Sequence, residues 1–206
     1  MLNILFEHPL AFLIIFPGLL MTIALHEFAH CWVADHLGDP TPRAKGRLTL
    51  DPRVHLDLLG VAAMLLTNFG WGKPAPYDPY NLKDPVKDSA LIAASGSILN
   101  LIIAVILSLI FHLLPLPFFW LQLSVVQLLT INVYLAIFNL IPVKPLDGSK
   151  VLLAFLPKKT AYEYEKFMDR YGLMILIILI MPLVNGTSPL SQLITPIANL
   201  ILNMLI

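Results

Sequence analysis

Long apolar runs alternate with short polar, turn-rich stretches along this chain. Residues 9–35, about 88–114 and 118–141 are apolar almost throughout, and shorter apolar segments cover 54–70, 172–184 and 190–206. A straight helix needs about 20 apolar residues to cross a bilayer, so the three long runs are predicted transmembrane helices. The 54–70 segment falls short of that length and is predicted to be re-entrant or tilted. Gly38-Asp39-Pro40, Pro42 and Asp51-Pro52 punctuate the polar stretch after the first run, and Pro115-Leu116-Pro117 marks a turn between the later two. Residues 144–170 are polar and predicted partly helical. Residues 43–50 contain a short apolar–polar alternation that predicts an edge strand. Gly70 to Pro76, interrupted by Gly and Pro, predicts an extended segment. The expected fold is an all-α polytopic membrane protein, a bundle of about five to six transmembrane or re-entrant helices with short β-strand segments near the functional site. One membrane-embedded domain over residues 1–206 accommodates it.

Composition supports a membrane environment. Hydrophobic residues make up 58% of the chain and charged residues 13%, and the mean hydropathy is +0.81, outside the range of ordinary soluble domains. A net charge of zero removes the basic excess that nucleic-acid binding requires. The single cysteine, Cys31, excludes an internal disulfide and is expected to pack. All 13 Lys and Arg residues fall in 36–53, 71–87 and 144–170, and none lies in the 115–118 turn. If 54–70 does not cross, all three basic loops lie on one side, which the positive-inside rule makes the cytoplasm. The N-terminus is then outside. Residues 1–8 lack a basic n-region and the run after them is long, so it is read as a retained helix rather than a cleaved signal.

Candidate chemistry sits inside the first run, in Leu25-His26-Glu27-Phe28-Ala29-His30. His26 and His30 are one helical turn apart and project from one face, where both can reach one tetrahedral zinc. Glu27 beside them is placed to take a proton from an attacking water. A charged side chain near the middle of a membrane helix costs about 2.5–3.5 kcal/mol, which a bound cation offsets. A third protein ligand is then needed. His36 continues a three-histidine spacing used by metzincin proteases, but Val33 stands where those enzymes turn the chain at glycine. His55 and Asp57 read as a structural pair or helix-entry group, and His112 as an interfacial side chain. Asp147 remains, in the Pro-broken stretch Asn139-Leu-Ile-Pro142-Val-Lys-Pro145-Leu-Asp147-Gly148.

His-Glu-Phe-Ala-His in a membrane helix, paired with Asn-Leu-Ile-Pro-Val-Lys-Pro-Leu-Asp-Gly late in the chain, resembles the site-2 protease family of intramembrane zinc metalloproteases. Gly46-Arg47-Leu48-Thr49-Leu50-Asp51-Pro52, Phe69-Gly70-Trp71-Gly72-Lys73-Pro74 and Ala94-Ser95-Gly96-Ser97-Ile98-Leu99-Asn100 resemble its compact bacterial and archaeal branch, so the likeness covers about residues 20–157. The resemblance implies a Zn2+ cofactor held by His26, His30 and Asp147, with Glu27 as catalytic base. Asn100 matches a family asparagine near the active site, implying a hold on substrate or oxyanion; an interhelical hydrogen bond is the other reading of that residue. The implied partners are a transmembrane protein substrate and the lipid bilayer, in the plasma membrane of a prokaryote, and the length leaves no room for a PDZ or CBS module. Ser97 replaces the usual Pro after Gly96. Lys144 stands where an apolar residue or Pro is usual and is expected to snorkel to water rather than reach the substrate carbonyl. Asn139 is expected to satisfy backbone freed by the prolines. The extended stretches 43–50 and 70–76 are candidates for pairing with an unwound substrate strand. A catalytically silent zinc scaffold and a metal-ion transporter are the alternatives; Glu27 counts against the first and a closed ligand set against the second. Asn185-Gly186-Thr187 matches a glycosylation sequon that matters only in a eukaryotic lumen.

Overall fold

The computed structural model describes residues 1–67, 70–182 and 186–206. Asn68 and Phe69 of the expected 54–70 and 69–74 segments, and Asn185 of the sequon, lie outside the described residues. Among the described residues nine α-helices follow in order: α1 (Leu2–Glu7), α2 (Pro9–His36), α3 (Thr41–Ala44), α4 (Leu58–Thr67), α5 (Pro85–Leu113), α6 (Phe119–Asn139), α7 (Gly148–Leu153), α8 (Lys158–Ile180) and α9 (Pro189–Leu205). Their starts follow local chemistry. Pro9, Pro85 and Pro189 occupy first-turn positions, where a missing N–H is no loss. Asp84 caps α5 by accepting the Lys87 N–H at 3.1 Å, and Ser188 caps α9 by accepting the Ser191 N–H at 3.0 Å.

Helices α2, α5 and α6 are long and apolar enough to cross a membrane, whereas α4 and α9 are shorter apolar helices. The protein is thus multi-pass, with three spanning helices at the core of the expected bundle. Helix α8 unites two segments that the hydropathy pattern separated. Nothing between Arg170 and Leu173 breaks it, because Gly172 lets α8 lie against Lys144, where a Cβ would sit 2.7 Å from the carbonyl oxygen.

No strand forms among the described residues, which corrects the expected β-segments. Thr41–Ala44 turns as helix instead, because Pro42 pre-sets φ and Asp39 Oδ1 accepts both the Thr41 N–H at 3.1 Å and its hydroxyl at 2.6 Å. Gly46, at φ +65°, then turns the chain before any ladder can start. Residues beyond Gly70 are extended as expected, but they make only an isolated antiparallel bridge, Leu56 with Gly72. An alternating pattern needs a neighbouring strand to become a sheet, and no neighbour is supplied.

The three spanning helices pack on one another, and buried polar groups pair between them. Asn132 of α6, fully buried, donates to Thr22 Oγ1 of α2 at 3.1 Å and to the Leu128 carbonyl at 2.9 Å. Such interhelical bonds are worth about 0.6–1.7 kcal/mol in a bilayer. Ala104 of α5 and Leu129 and Val133 of α6 form an apolar cluster with Ile141, Val143 and Leu146 of the loop after α6, Leu176 of α8, and Ile194 and Ala198 of α9. That cluster holds the loop inside the bundle.

Asp39, fully buried, ties the end of α2 to the segment before α5. Besides the two Thr41 groups it accepts the Asp78 N–H at 2.7 Å and Asn81 Nδ2 at 2.7 Å. Burial alone would raise its pKa, but these donors outweigh burial and hold the carboxyl below the usual carboxylate range. Its stabilisation is complete above the ordinary carboxylate pKa of about 3.9 and is lost as the pH falls through the lower folded value. Asp39→Ala is expected to cost about 3 kcal/mol at neutral pH. Asp39→Asn should flatten the acid limb of a melting-temperature profile taken in detergent below about pH 4.

Candidate metal centre

Two distant pieces of chain build the site. Helix α2 carries His26, Glu27 and His30 on consecutive turns, with both imidazoles buried, their centroids 4.6 Å apart and their planes at 89°. Asp147 comes from the loop between α6 and α7. Pro142 and Pro145 have no N–H and cannot continue α6, so the chain leaves the helix and closes through Val143 N–H to Ile141 O at 2.8 Å and Leu146 N–H to Val143 O at 2.8 Å. Gly148 completes the return. A Cβ there would sit 2.1 Å from the Leu140 carbonyl oxygen, a backbone contact that no side-chain movement relieves.

The loop thereby places Asp147 Oδ2 3.1 Å from His26 Nε2 and 3.2 Å from His30 Nε2. One ligand atom from each of the three residues lies within 4.8 Å of the others. Ligands about 2.0–2.1 Å from a tetrahedral zinc stand about 3.3 Å apart, so the observed separations fit a shared metal. Proton positions support the same reading. His30 Nδ1 faces the Ile92 carbonyl at 2.7 Å, with Ser95 Oγ at 3.4 Å, so Nδ1 carries the donated proton. In the neutral ring, Nε2 then turns a lone pair towards the Asp147 carboxylate. Two acceptors at that distance repel unless a cation lies between them, and the donor set of two imidazoles and a carboxylate suits zinc.

Glu27 stands next to this group. Its Oε2 accepts the Ala75 N–H at 2.9 Å. Ala75 belongs to a strap, residues 70–77, that helps line a cavity of about 530 Å³ together with Glu27, both histidines, Asp147 and Lys150 among others. Three further contacts hold the strap. Lys73 N–H donates to the His55 carbonyl at 2.7 Å, and buried Arg47 donates from Nη2 to the Lys73 carbonyl at 2.6 Å. Gly72 approaches α2 so closely that a Cβ would lie 2.8 Å from Ile23 Cγ2. The sequence marks the stretches 43–50 and 70–76 as substrate-pairing candidates. It does not show Arg47 as the brace of the strap, the Ala75 amide as the anchor of Glu27, or Tyr77 and Lys150 as cavity-lining residues. Only the position of Lys150, three residues after Asp147 on a helical turn, offered a signal.

The other candidates separate from the centre. Exposed His36 donates from Nδ1 to Trp32 O in its own helix at 2.8 Å, and His112 likewise to Ser108 O at 2.9 Å. His55 is fully buried and donates from Nε2 to Thr49 O at 2.9 Å, while Asp57 accepts the Gly60 N–H at 2.9 Å at the entry to α4. Burial pushes the His55 pKa down, so that ring stays neutral. Cys31 is buried and unpaired in α2. Asn139 lines the cavity and donates to Leu135 O at 3.0 Å. Lys144 neither snorkels to water alone nor points at the metal group. It pairs with Asp169 at 2.7 Å and Glu165 at 3.4 Å on α8, and although burial opposes its charge, the Asp169 carboxylate outweighs burial and raises its pKa. Asn100, fully buried in α5, lies behind His26 with Nδ2 3.2 Å from His26 Nδ1, and it is not part of the cavity wall.

A multi-pass helical protein with a buried His-His-Asp group beside a glutamate is the architecture of a membrane-embedded metallopeptidase. Comparison with known proteins makes the class specific. The model of peptidase family M50 matches residues 118–181. The chain is 32% identical over 177 residues to "Putative zinc metalloprotease YwhC" of Bacillus subtilis (strain 168), an alignment covering 78% of this chain and 77% of that relative. It is 26% identical over 182 residues to "Putative zinc metalloprotease Rip2" of Mycobacterium tuberculosis (strain ATCC 25618 / H37Rv), covering 85% of this chain and 70% of the relative. The Mycolicibacterium smegmatis protein of the same name is also 26% identical, over 84% of this chain and 69% of its own length. No solved structure matches the chain. The chain belongs to peptidase family M50, the site-2 protease family of zinc metalloproteases.

Gly96 of α5 tests the geometry. A Cβ there would lie 2.6 Å from His26 Cε1 and 2.7 Å from both ring nitrogens. Gly96→Ala is expected to displace the imidazole and weaken zinc binding at least about 10-fold, as removal of a ligand's supporting contact does elsewhere. Chelator competition on the purified protein measures it.

Proposed function

We propose that this protein is an intramembrane zinc endopeptidase that hydrolyses peptide bonds within or next to transmembrane segments of membrane-protein substrates, in the plasma membrane of a prokaryote with the site open to the cytoplasm. The observation that carries the proposal is the meeting of His26 Nε2, His30 Nε2 and Asp147 Oδ2 over a cavity that Glu27 also lines. His26, His30 and Asp147 would hold the zinc, which when bound supplies a Lewis acid for water activation and carbonyl polarisation.

The chain's own residues do the rest. Glu27 takes the proton of the attacking water and delivers it to the leaving amine. Its anchoring to the Ala75 amide keeps one carboxylate oxygen hydrogen-bonded, so the other is free to turn to the water. The imidazoles of His26 and His30 are buried, which strengthens their polar contacts. A substrate helix must unwind before its carbonyl is reachable, and a strand beside the strap is the simplest host. The N–H groups of Lys73 and Ala75 already serve His55 and Glu27, and Pro74 and Pro76 have none. Over residues 73–76 a substrate strand would therefore pair with strap carbonyls.

Glu27→Gln is the decisive variant. It should lower cleavage of a transmembrane peptide by about 10²–10⁴-fold while zinc stays stoichiometric. Full activity in that variant would remove Glu27 from the mechanism, and metal lost together with activity would point to a structural role. Replacing residues 70–76 by a flexible Gly/Ser linker should abolish cleavage of a helical substrate and leave zinc content unchanged. Undiminished cleavage would exclude the strap from substrate binding.

A further inference from the structure

We infer that Asn100 is a positioning residue for His26: its side-chain amide turns to present Oδ1 to the Nδ1–H of that imidazole when the centre holds zinc, and so selects coordination through Nε2. The inference rests on the metalloprotease reading above. It begins from an imbalance between the two histidines. His30 Nδ1 faces a backbone carbonyl, an acceptor alone, so one tautomer is imposed on that ring whether or not a metal is present. His26 Nδ1 faces an amide, which can accept or donate.

Asn100 Nδ2 donates to His26 Nδ1, which then carries a lone pair, and the opposite nitrogen donates to Asp147 Oδ2 at 3.1 Å. Asn100 Oδ1 is left buried without a hydrogen-bond partner. Were zinc held by His26 Nε2, the proton of the neutral ring would sit on Nδ1, facing the two hydrogens of Nδ2. A half-turn of the amide removes that clash and brings the orphaned oxygen onto the N–H. The ring has little room to move towards α5, because a Cβ on Gly96, one turn before Asn100, would already lie 2.6 Å from His26 Cε1. Asn100 is fully buried and absent from the cavity wall, so it acts on the ligand and does not touch substrate.

The experiment compares wild type, Asn100→Asp and Asn100→Leu in detergent. It measures zinc affinity by chelator competition, KM for a cleavable transmembrane peptide at saturating zinc, and melting of the metal-free protein. Asn100→Leu should weaken zinc by about 10–100-fold, whereas Asn100→Asp, which keeps the acceptor, should restore the affinity. KM should stay at the wild-type value in any variant that still cleaves. Wild-type affinity in Asn100→Leu overturns the inference, as does Asn100→Asp binding zinc no better than Asn100→Leu. A raised KM with unchanged zinc affinity overturns it in favour of a substrate contact. Should the leucine variant fail to fold, nitrogen NMR of ring-labelled wild type decides, since a zinc-loaded protein in which His26 Nδ1 lacks its proton excludes the role. Failure of wild type to take up any zinc would instead overturn the metalloprotease reading itself.

Discussion

One carboxylate facing two imidazoles within 3.2 Å is the contact on which the rest of the molecule depends. Left without a cation, the lone pair of His30 Nε2 and the Asp147 oxygen repel each other inside a poorly screened interior. The chain sustains that juxtaposition by packing. Ile141, Val143 and Leu146 anchor the loop that carries Asp147 in the apolar cluster shared by α5, α6, α8 and α9. Gly148 allows the loop to close against the end of α6, and Gly96 lets α5 press against His26. Helix packing thus holds a polar arrangement that would not assemble by itself.

Around that contact several buried polar side chains hold defined partners. Asp39 collects four donors, His55 holds the Thr49 carbonyl, and Arg47 braces the strap through Lys73. These bonds matter more in a membrane protein than in a soluble one, because no water replaces a lost partner. They also assign functions to loops that lack regular structure. Lys73 and Ala75 hold the strap beside the cavity without a sheet, and Lys144 ties the loop that carries Asp147 to α8 through Asp169 and Glu165.

The family match falls on the half of the protein that carries Asp147. Residues 118–181 hold α6, the Pro-broken loop, α7 and α8, whereas His26, Glu27 and His30 lie on α2 outside that span. The site therefore joins two parts of the chain separated by 121 residues between His26 and Asp147. Neither part offers a complete metal set. The zinc metalloprotease names of the bacterial relatives agree with what the joined set can bind.

Much of this was legible in the amino-acid order because its signals are local. Three apolar runs of spanning length, a His-Glu-x-x-His turn and a Pro-broken Asp-Gly loop are each short-range patterns, and each forms where the pattern predicts. The failures are equally physical. The 43–50 alternation became helix and turns, because a strand needs a partner and Pro42 with Asp39 favoured a helical start. Lys144 was read against water, while its partners came from a helix 21 and 25 residues later. That Asn100 faces His26, that Ala75 holds Glu27, and that Arg47 supports the strap are contacts between residues 74, 48 and 26 positions apart. The sequence by itself determined the three long apolar helices and which side chains can bind a metal, since both follow from neighbours in the chain. Only the tertiary structure decided which of those side chains meet, because packing of distant apolar faces sets that distance.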